Sequence, residues 1–458
     1  MNALFSPIRL AMLLFLTALS SCAAEERPSI DAAASAVLSP YGKDGAPALV
    51  FFISEPGSGD YSQSVGEANI ELGVPASAET VFHIGSVTKQ FTAAAILLLV
   101  EEGRLTLDDE AAKYLPDYAS DLSGVTIRQL LNHTSGVRSY TSLAPQSAPL
   151  WTRTFRDDLS EKEMIDLFIK EPRDFAPGDG FIYSNSGYFL AGAIISRVSG
   201  LPYEEFLRQR IFAPLQLQSA SLCRKTEIVS HRAAGYKRSG DAFRNNDVLS
   251  VSIPYAAGAI CMNAKDLARW TRALHEGEVL TPESLKAMET PTRLNNGLEI
   301  PYGLGIFLDD FYGRRRIGHS GLFNGFTAVA WYYPENGAAT VLLSNLESPE
   351  RADDVVFLEG EILRRQLGVH EASFEPADPQ PYVGRFRAGR SIREITVIDG
   401  GLQLDGAPLA QIGEDMFLAE TGPAYRVQFL RDASGGVAAY LYMRGAVSYL
   451  AEACREDC

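Results

Sequence analysis

Ser86 and Lys89 stand three residues apart at the head of a long apolar run. In a helix that begins near Ser86, this spacing puts the two side chains on one face within a turn of each other, a hydroxyl beside an amine. A serine hydroxyl becomes a good nucleophile when a neighbouring base takes its proton. Lysine can be that base once burial or nearby cations lower its pKa well below ~10.4. Residues 91–100 are apolar on nearly every face, which predicts a helix at the centre of a domain and a dry setting for Lys89. The first turn of such a helix also offers unpaired backbone N–H groups and the positive end of its dipole, both of which favour a developing oxyanion.

Alone, Ser-x-x-Lys is a weak signal, because so short a pattern arises by chance. Two later motifs strengthen it: Tyr183-Ser184-Asn185 and His319-Ser320-Gly321. The first pattern and Tyr-x-Asn each occur once, whereas His-x-Gly also matches at His83 and His275. The duller alternatives are a buried core tyrosine at Tyr183 and a strand-end residue at His319. The ordered trio resembles the penicillin-recognising serine hydrolases, in the branch of class C β-lactamases, DD-carboxypeptidases, D-aminopeptidases and family VIII esterases. Flanking strings extend the resemblance over roughly residues 30–370: His83-Ile84-Gly85-Ser86, Leu130-Leu131-Asn132-His133-Thr134-Ser135-Gly136, Phe175-Ala176-Pro177-Gly178, and Ala256-Ala257-Gly258 ahead of Asp266-Leu267-Ala268-Arg269.

The resemblance implies that Ser86 forms an acyl-enzyme and that Lys89 and Tyr183 share the proton transfers. It implies that Asn185 hydrogen-bonds Lys89 and the substrate, and that the backbone N–H groups of Ser86 and Leu322 form the oxyanion hole. His319, Ser320 and Gly321 would line the substrate side. His319 stands where many β-lactamases have lysine. With a pKa near ~6.5 it is mostly neutral at pH 7, so carboxylate recognition weakens and improves only as pH falls. An ester or D-peptide bond is thus expected ahead of efficient β-lactam hydrolysis. The alternative is a weakly catalytic, membrane-tethered protein that holds peptidoglycan peptides. The intact set of Ser86, Lys89, Tyr183 and Asn185 favours the hydrolase, because a binder has no need of a full proton relay.

Other chemistries fit less well. Gly318-His319-Ser320-Gly321 is not a nucleophile elbow, because Leu322 stands where the second glycine belongs. The six histidines, His83, His133, His231, His275, His319 and His370, are scattered without Cys-x-x-Cys or His-Glu-x-x-His, so no metal is expected. Phosphate loops are missing and no cofactor is expected. With 41 Lys and Arg against 57 Asp and Glu, a net charge of -16 and no basic run, nucleic acid is not an expected partner.

The elements that must hold these residues can be read coarsely. Residues 48–54 and 61–68 suggest an opening hairpin. A helical middle follows, with Thr126 capping 127–132 and helices at 185–198, 202–212, 264–275 and 282–290. Strands return at 303–308, 315–318, 327–333 and 339–344, before a helix over 353–367. Strands at both ends with helices between predict an α+β, β-lactamase/DD-peptidase-like fold: a mainly antiparallel sheet flanked by helices plus a helical subdomain, with the site between them. The domain would span 22–374. Three prolines mark a linker at 375–381. Short β-type runs then predict a small all-β barrel or sandwich over 382–458.

The first residues carry an address. Arg9, the apolar stretch 10–19 and Leu19-Ser20-Ser21-Cys22 resemble a bacterial lipoprotein signal, with 1–21 removed and Cys22 lipidated. Export and a lipid anchor on the periplasm-facing side of a bacterial membrane, by preference the outer one, are expected. Of 5 cysteines, the four besides Cys22 are an even number in an oxidising compartment. Cys454 with Cys458 and Cys223 with Cys261 are the expected disulfides, with buried free thiols as the alternative. The 46% hydrophobic and 21% charged composition allows a large core.

Overall fold

Leu49–Glu55 is a nearly unbroken apolar strand, and in the computed structural model both of its faces are covered. The model describes residues 28–143, 156–311, 314–347, 354–367, 378–388, 391–419, 425–444 and 447–454. Val50 and Phe52 point into a core shared with the helical part, while Leu49, Phe51 and Ile53 point into a second core on the opposite side. A strand buried on both faces has no polar side to alternate with, so its apolar residues run continuously. It lies in a six-stranded antiparallel sheet, in the order Phe307–Phe311, Arg314–Phe323, Phe326–Tyr333, Ala338–Ser344, Leu49–Glu55, Gly59–Val65.

The helices Ile30–Leu38 and Val355–Gln366 cover one face of the sheet. On the other face stands the helical part, with Thr88–Glu101 at its centre. This helix is buried on all sides from Thr88 to Leu99, and Trp270 of the Ala264–His275 helix stacks on Phe91 at 3.9 Å. Thr126 makes the expected capping box with Gln129 at the start of Ile127–Leu131. Two expectations shift. The strand placed at 303–308 is Phe307–Phe311, and the one placed at 315–318 runs on through Gly321 to Phe323. Glycine reads locally as a break, but here it is where a strand meets another backbone closely.

Eight short strands from Gly384–Ala388 to Val447–Ala453 pair in sequence order and close into a barrel, Phe386 opposite Ala453. On Val437–Arg444 the alternation is visible: Tyr440 and Tyr442 fill the barrel, while Ala439, Leu441 and Met443 join the core behind the six-stranded sheet. The barrel is therefore docked through shared hydrophobic core. A buried ion network reinforces the joint: Asp309 accepts from Arg316 at 2.8 Å and from Arg426 of the barrel at 2.5 Å, and Arg316 also pairs with Glu359 at 3.1 Å.

Cys223 and Cys261 form a disulfide with Cα atoms 5.8 Å apart. Cys454 is also disulfide-bonded. The signal segment 1–21, Cys22, residues 375–377 of the linker and Cys458 lie outside the described residues. No helix among the described residues is long and apolar enough to cross a membrane.

Candidate active site

Ser86 sits in a 3-10 turn, Gly85–Val87, that leads into the Thr88–Glu101 helix. Two glycines make that turn possible. Gly85 has φ +50, a left-handed conformation in which a side chain would be strained, and a Cβ there would lie 2.7 Å from the backbone N of Leu322. Across the gap, a Cβ on Gly321 would lie 1.9 Å from the carbonyl O of Ile84 and 3.0 Å from the N of Ser86. The strand Arg314–Phe323 thus packs backbone to backbone against the turn, which brings the Ser86 and Leu322 amides to the same place. Leu322 itself is 44% exposed and faces the cleft.

Lys89 is completely buried one turn further on. Its Nζ lies 3.1 Å from Ser86 Oγ, 2.8 Å from Asn185 Oδ1 and 2.7 Å from the Ala257 carbonyl. None of the three neighbours carries a negative charge, so no ion pair offsets the cost of removing an ammonium from water. Burial holds the Lys89 amine well below the usual lysine range. The Asn185 side chain is oriented from both ends, its Nδ2 donating to Thr141 Oγ1 at 3.3 Å. Asn185 begins the helix Asn185–Ser199, where the Ser184 side chain caps Gly187 N–H.

Tyr183 places its ring 4.7 Å from Lys89 Nζ. Burial pushes its phenol pKa up, and the nearby Ser86 hydroxyl opposes that rise. The tyrosine is held by main chain from the barrel: Tyr183 N–H donates to Ser448 O at 3.0 Å, and Leu450 N–H to Phe181 O at 3.0 Å. Ile182 and Tyr449 form the bridge between them.

His319 lies behind this group. The expectation that it lines the substrate side and titrates near pH 6.5 is corrected. The residue has no exposed surface, and burial, followed by the proximity of Lys89, lowers its pKa to about 3. Its Nδ1 is 2.5 Å from its neighbour's carbonyl, Ser320 O, and so carries the proton. Nε2 is then an acceptor for the hydroxyls of Tyr183 at 3.4 Å and Tyr302 at 3.3 Å. Ser320 is half-buried on the side toward the barrel, and Gly321 is covered by the Ser86 turn, so neither lines the cleft.

Several residues of the site escaped the sequence reading. His133, inside the string Leu130 to Gly136, accepts from Ser184 N–H at Nδ1, 3.0 Å, and meets Tyr302 Oη through Nε2 at 3.1 Å. Its ring packs 4.2 Å from that of Tyr183, and burial holds its pKa well below the ordinary histidine range. A backbone N–H can only donate, so His133 Nδ1 accepts and Nε2–H donates to Tyr302. Tyr183 is thereby packed between two neutral imidazoles of fixed tautomer. The quoted string was the signal for His133. Tyr302, and Arg393, Ser448 and Tyr449 of the barrel, carried none.

Ser86, Tyr183, Asn185 and Leu322 open onto a cleft of about 670 Å³. A hydroxyl beside a desolvated amine, with a phenol and two backbone amides close by, can carry out acyl transfer.

Comparison with known proteins points the same way. The family description Beta-lactamase matches residues 34–362. Penicillin-binding protein 4* of Bacillus subtilis is 29% identical over 319 residues, 66% of this chain and 68% of that protein. For other curated relatives the matched share of their own length falls to 65% and 56%. Among solved structures, the D-amino acid amidase of Ochrobactrum anthropi SV3 superposes with a TM-score of 0.64 at 26% identity, covering 74% of this chain and 97% of that one. An octameric penicillin-binding protein homologue from Pyrococcus abyssi shares the fold over 92% of this chain and 100% of its own, at TM-score 0.62 and 24% identity.

Proposed function

Because the chain belongs to the beta-lactamase family of serine hydrolases, we propose that Ser86 attacks the carbonyl of a D-amino-acid peptide, amide or ester and carries its acyl group until water releases it. The observation that carries this reading is the 3.1 Å contact between Ser86 Oγ and a fully buried Lys89. A neutral amine has two N–H groups and one lone pair. With the N–H groups donating to Asn185 Oδ1 and Ala257 O, the lone pair is left for the Ser86 hydroxyl. Lys89 takes that proton as the Ser86 oxygen bonds to the carbonyl carbon, and the Ser86 and Leu322 amides receive the charge on the carbonyl oxygen. Tyr183, a neutral phenol near the same hydroxyl, protonates the leaving nitrogen or oxygen as its bond to carbon breaks. The proton on Lys89 then passes to the Tyr183 oxygen, which restores both groups; water, giving its proton to Lys89, attacks the acyl carbon, and Tyr183 protonates Ser86 Oγ as it leaves.

The preference for D-configured substrates is supported by the likeness to a D-amino acid amidase. Export with lipidation at Cys22 is part of the same proposal, supported by the lipobox-like Leu19-Ser20-Ser21-Cys22 and by a disulfide-bonded Cys223–Cys261 pair. Purified protein should label with a fluorophosphonate and hydrolyse an N-acyl-D-alanyl-D-alanine peptide faster than the L form. Ser86→Ala should lose the label and at least about a thousandfold in turnover. Labelling that survives in Ser86→Ala would remove Ser86 from the reaction.

A further inference from the structure

The barrel supplies one wall of the cleft. Ser391 and Arg393 of the strand Ser391–Ile398 and Ser448 and Tyr449 of Val447–Ala453 face the same space as Ser86. Among the described lining residues Arg393 is the one with a permanent charge, and no carboxylate lines the space beside it. This is a local cation in a chain of net charge -16.

Arg393 is held in one orientation. Its Nε and Nη2 donate to Tyr449 Oη at 3.3 and 3.2 Å, and Nη1 donates to Asp405 at 2.6 Å. These bonds engage three of the five guanidinium N–H groups, which leaves donors for a further acceptor. Asp405 and Arg393 are each more than a third exposed, so water screens their pairing and the guanidinium stays attractive to a second anion. His319, neutral and enclosed, cannot supply this charge.

We propose that this wall is a carboxylate subsite: Arg393, oriented by Tyr449 and Asp405, binds the free carboxylate of a peptide or N-acyl amino acid whose scissile bond lies at Ser86. The assignment rests on Ser86 being the reacting centre. It directs the enzyme to chains ending in a carboxylate.

Binding to the uncleaving Ser86→Ala protein separates the subsite from the chemistry. By calorimetry, N-acetyl-D-alanyl-D-alanine should bind at least tenfold more tightly than its C-terminal amide. Adding Arg393→Gln should bring the two within twofold, Arg393→Lys should retain part of the preference, and Tyr449→Phe should reduce it. Acid and amide are compared on one preparation, so any loss of folded protein cancels. Equal binding of acid and amide, a preference untouched by Arg393→Gln, or no binding of either at 10 mM each overturns the subsite. Turnover by the unmutated protein is scored separately: a carboxylate preference without turnover would leave the subsite standing and remove the hydrolase reading.

Discussion

His319 and Lys89 are basic groups whose hold on a proton burial weakens, one behind two phenols and the other among neutral acceptors. For such a group the unfolded chain binds a proton first as pH falls. Stability attributable to His319 therefore declines below pH ~6.5 and goes on declining until about 3, by about 1.4 kcal/mol for each pH unit. Denaturant unfolding between pH 4 and 7 should show a shallower loss in His319→Gln by that amount, and an identical slope would mean that the imidazole is protonated in the fold. In the rate profile, His319 should contribute no inflection near pH 6.5. The acidic limb of kcat/KM should instead report Lys89, with a midpoint far below ~10.4. A limb centred near 10 would show a lysine that is not desolvated and would end its assignment as the base.

At the scale of elements, the site is a strand pressed on a turn. Gly321→Ala drives a methyl group into Ile84 O and toward Ser86 N, and should cost roughly 1–3 kcal/mol of stability and at least a hundredfold in kcat on a neutral ester. Turnover close to that of the parent would show that the two backbones need not touch. This contact also marks what the sequence made legible. Ser86, Lys89, Tyr183 and Asn185 could be found because each pair sits within one turn or one motif, where local spacing determines neighbours. The Thr126 cap and the helix from Asn185 were legible for the same reason. The enclosure of His319 depends on Tyr302 and Phe307 arriving from another strand, and the length of Arg314–Phe323 depends on what its glycines face. Arg393 and Ser448 reach the cleft only through barrel closure and docking, which no local pattern records.

Across the whole molecule, a hydrophobic core and an ion network cross the joint between the two parts. Arg426→Ala leaves Asp309 buried with only Arg316 beside it, and should lower stability by roughly 3 kcal/mol in denaturant unfolding. A loss under about 0.5 kcal/mol would mean that the network does not fasten the barrel. A chain ended after residue 374 should lose activity even if it stays in solution, since Tyr183 N–H and Phe181 O would lose their barrel partners. Full activity in that truncation would show the barrel to be dispensable. The pairing of residues 181–183 with 448–450 uses peptide groups, not side chains, and that has a bearing on inheritance and on grafting. Side-chain substitutions along the Val447–Ala453 strand leave these peptide bonds to Phe181 and Tyr183 in place, but deleting a single residue before Ser448 would exchange the strand's two faces, turning Tyr449 where Ser448 now stands. A foreign barrel joined to this hydrolase would therefore have to match it in register before it matched it in sequence, and by changing the few side chains that face the cleft it could change what the enzyme selects while leaving the chemistry at Ser86 as it is.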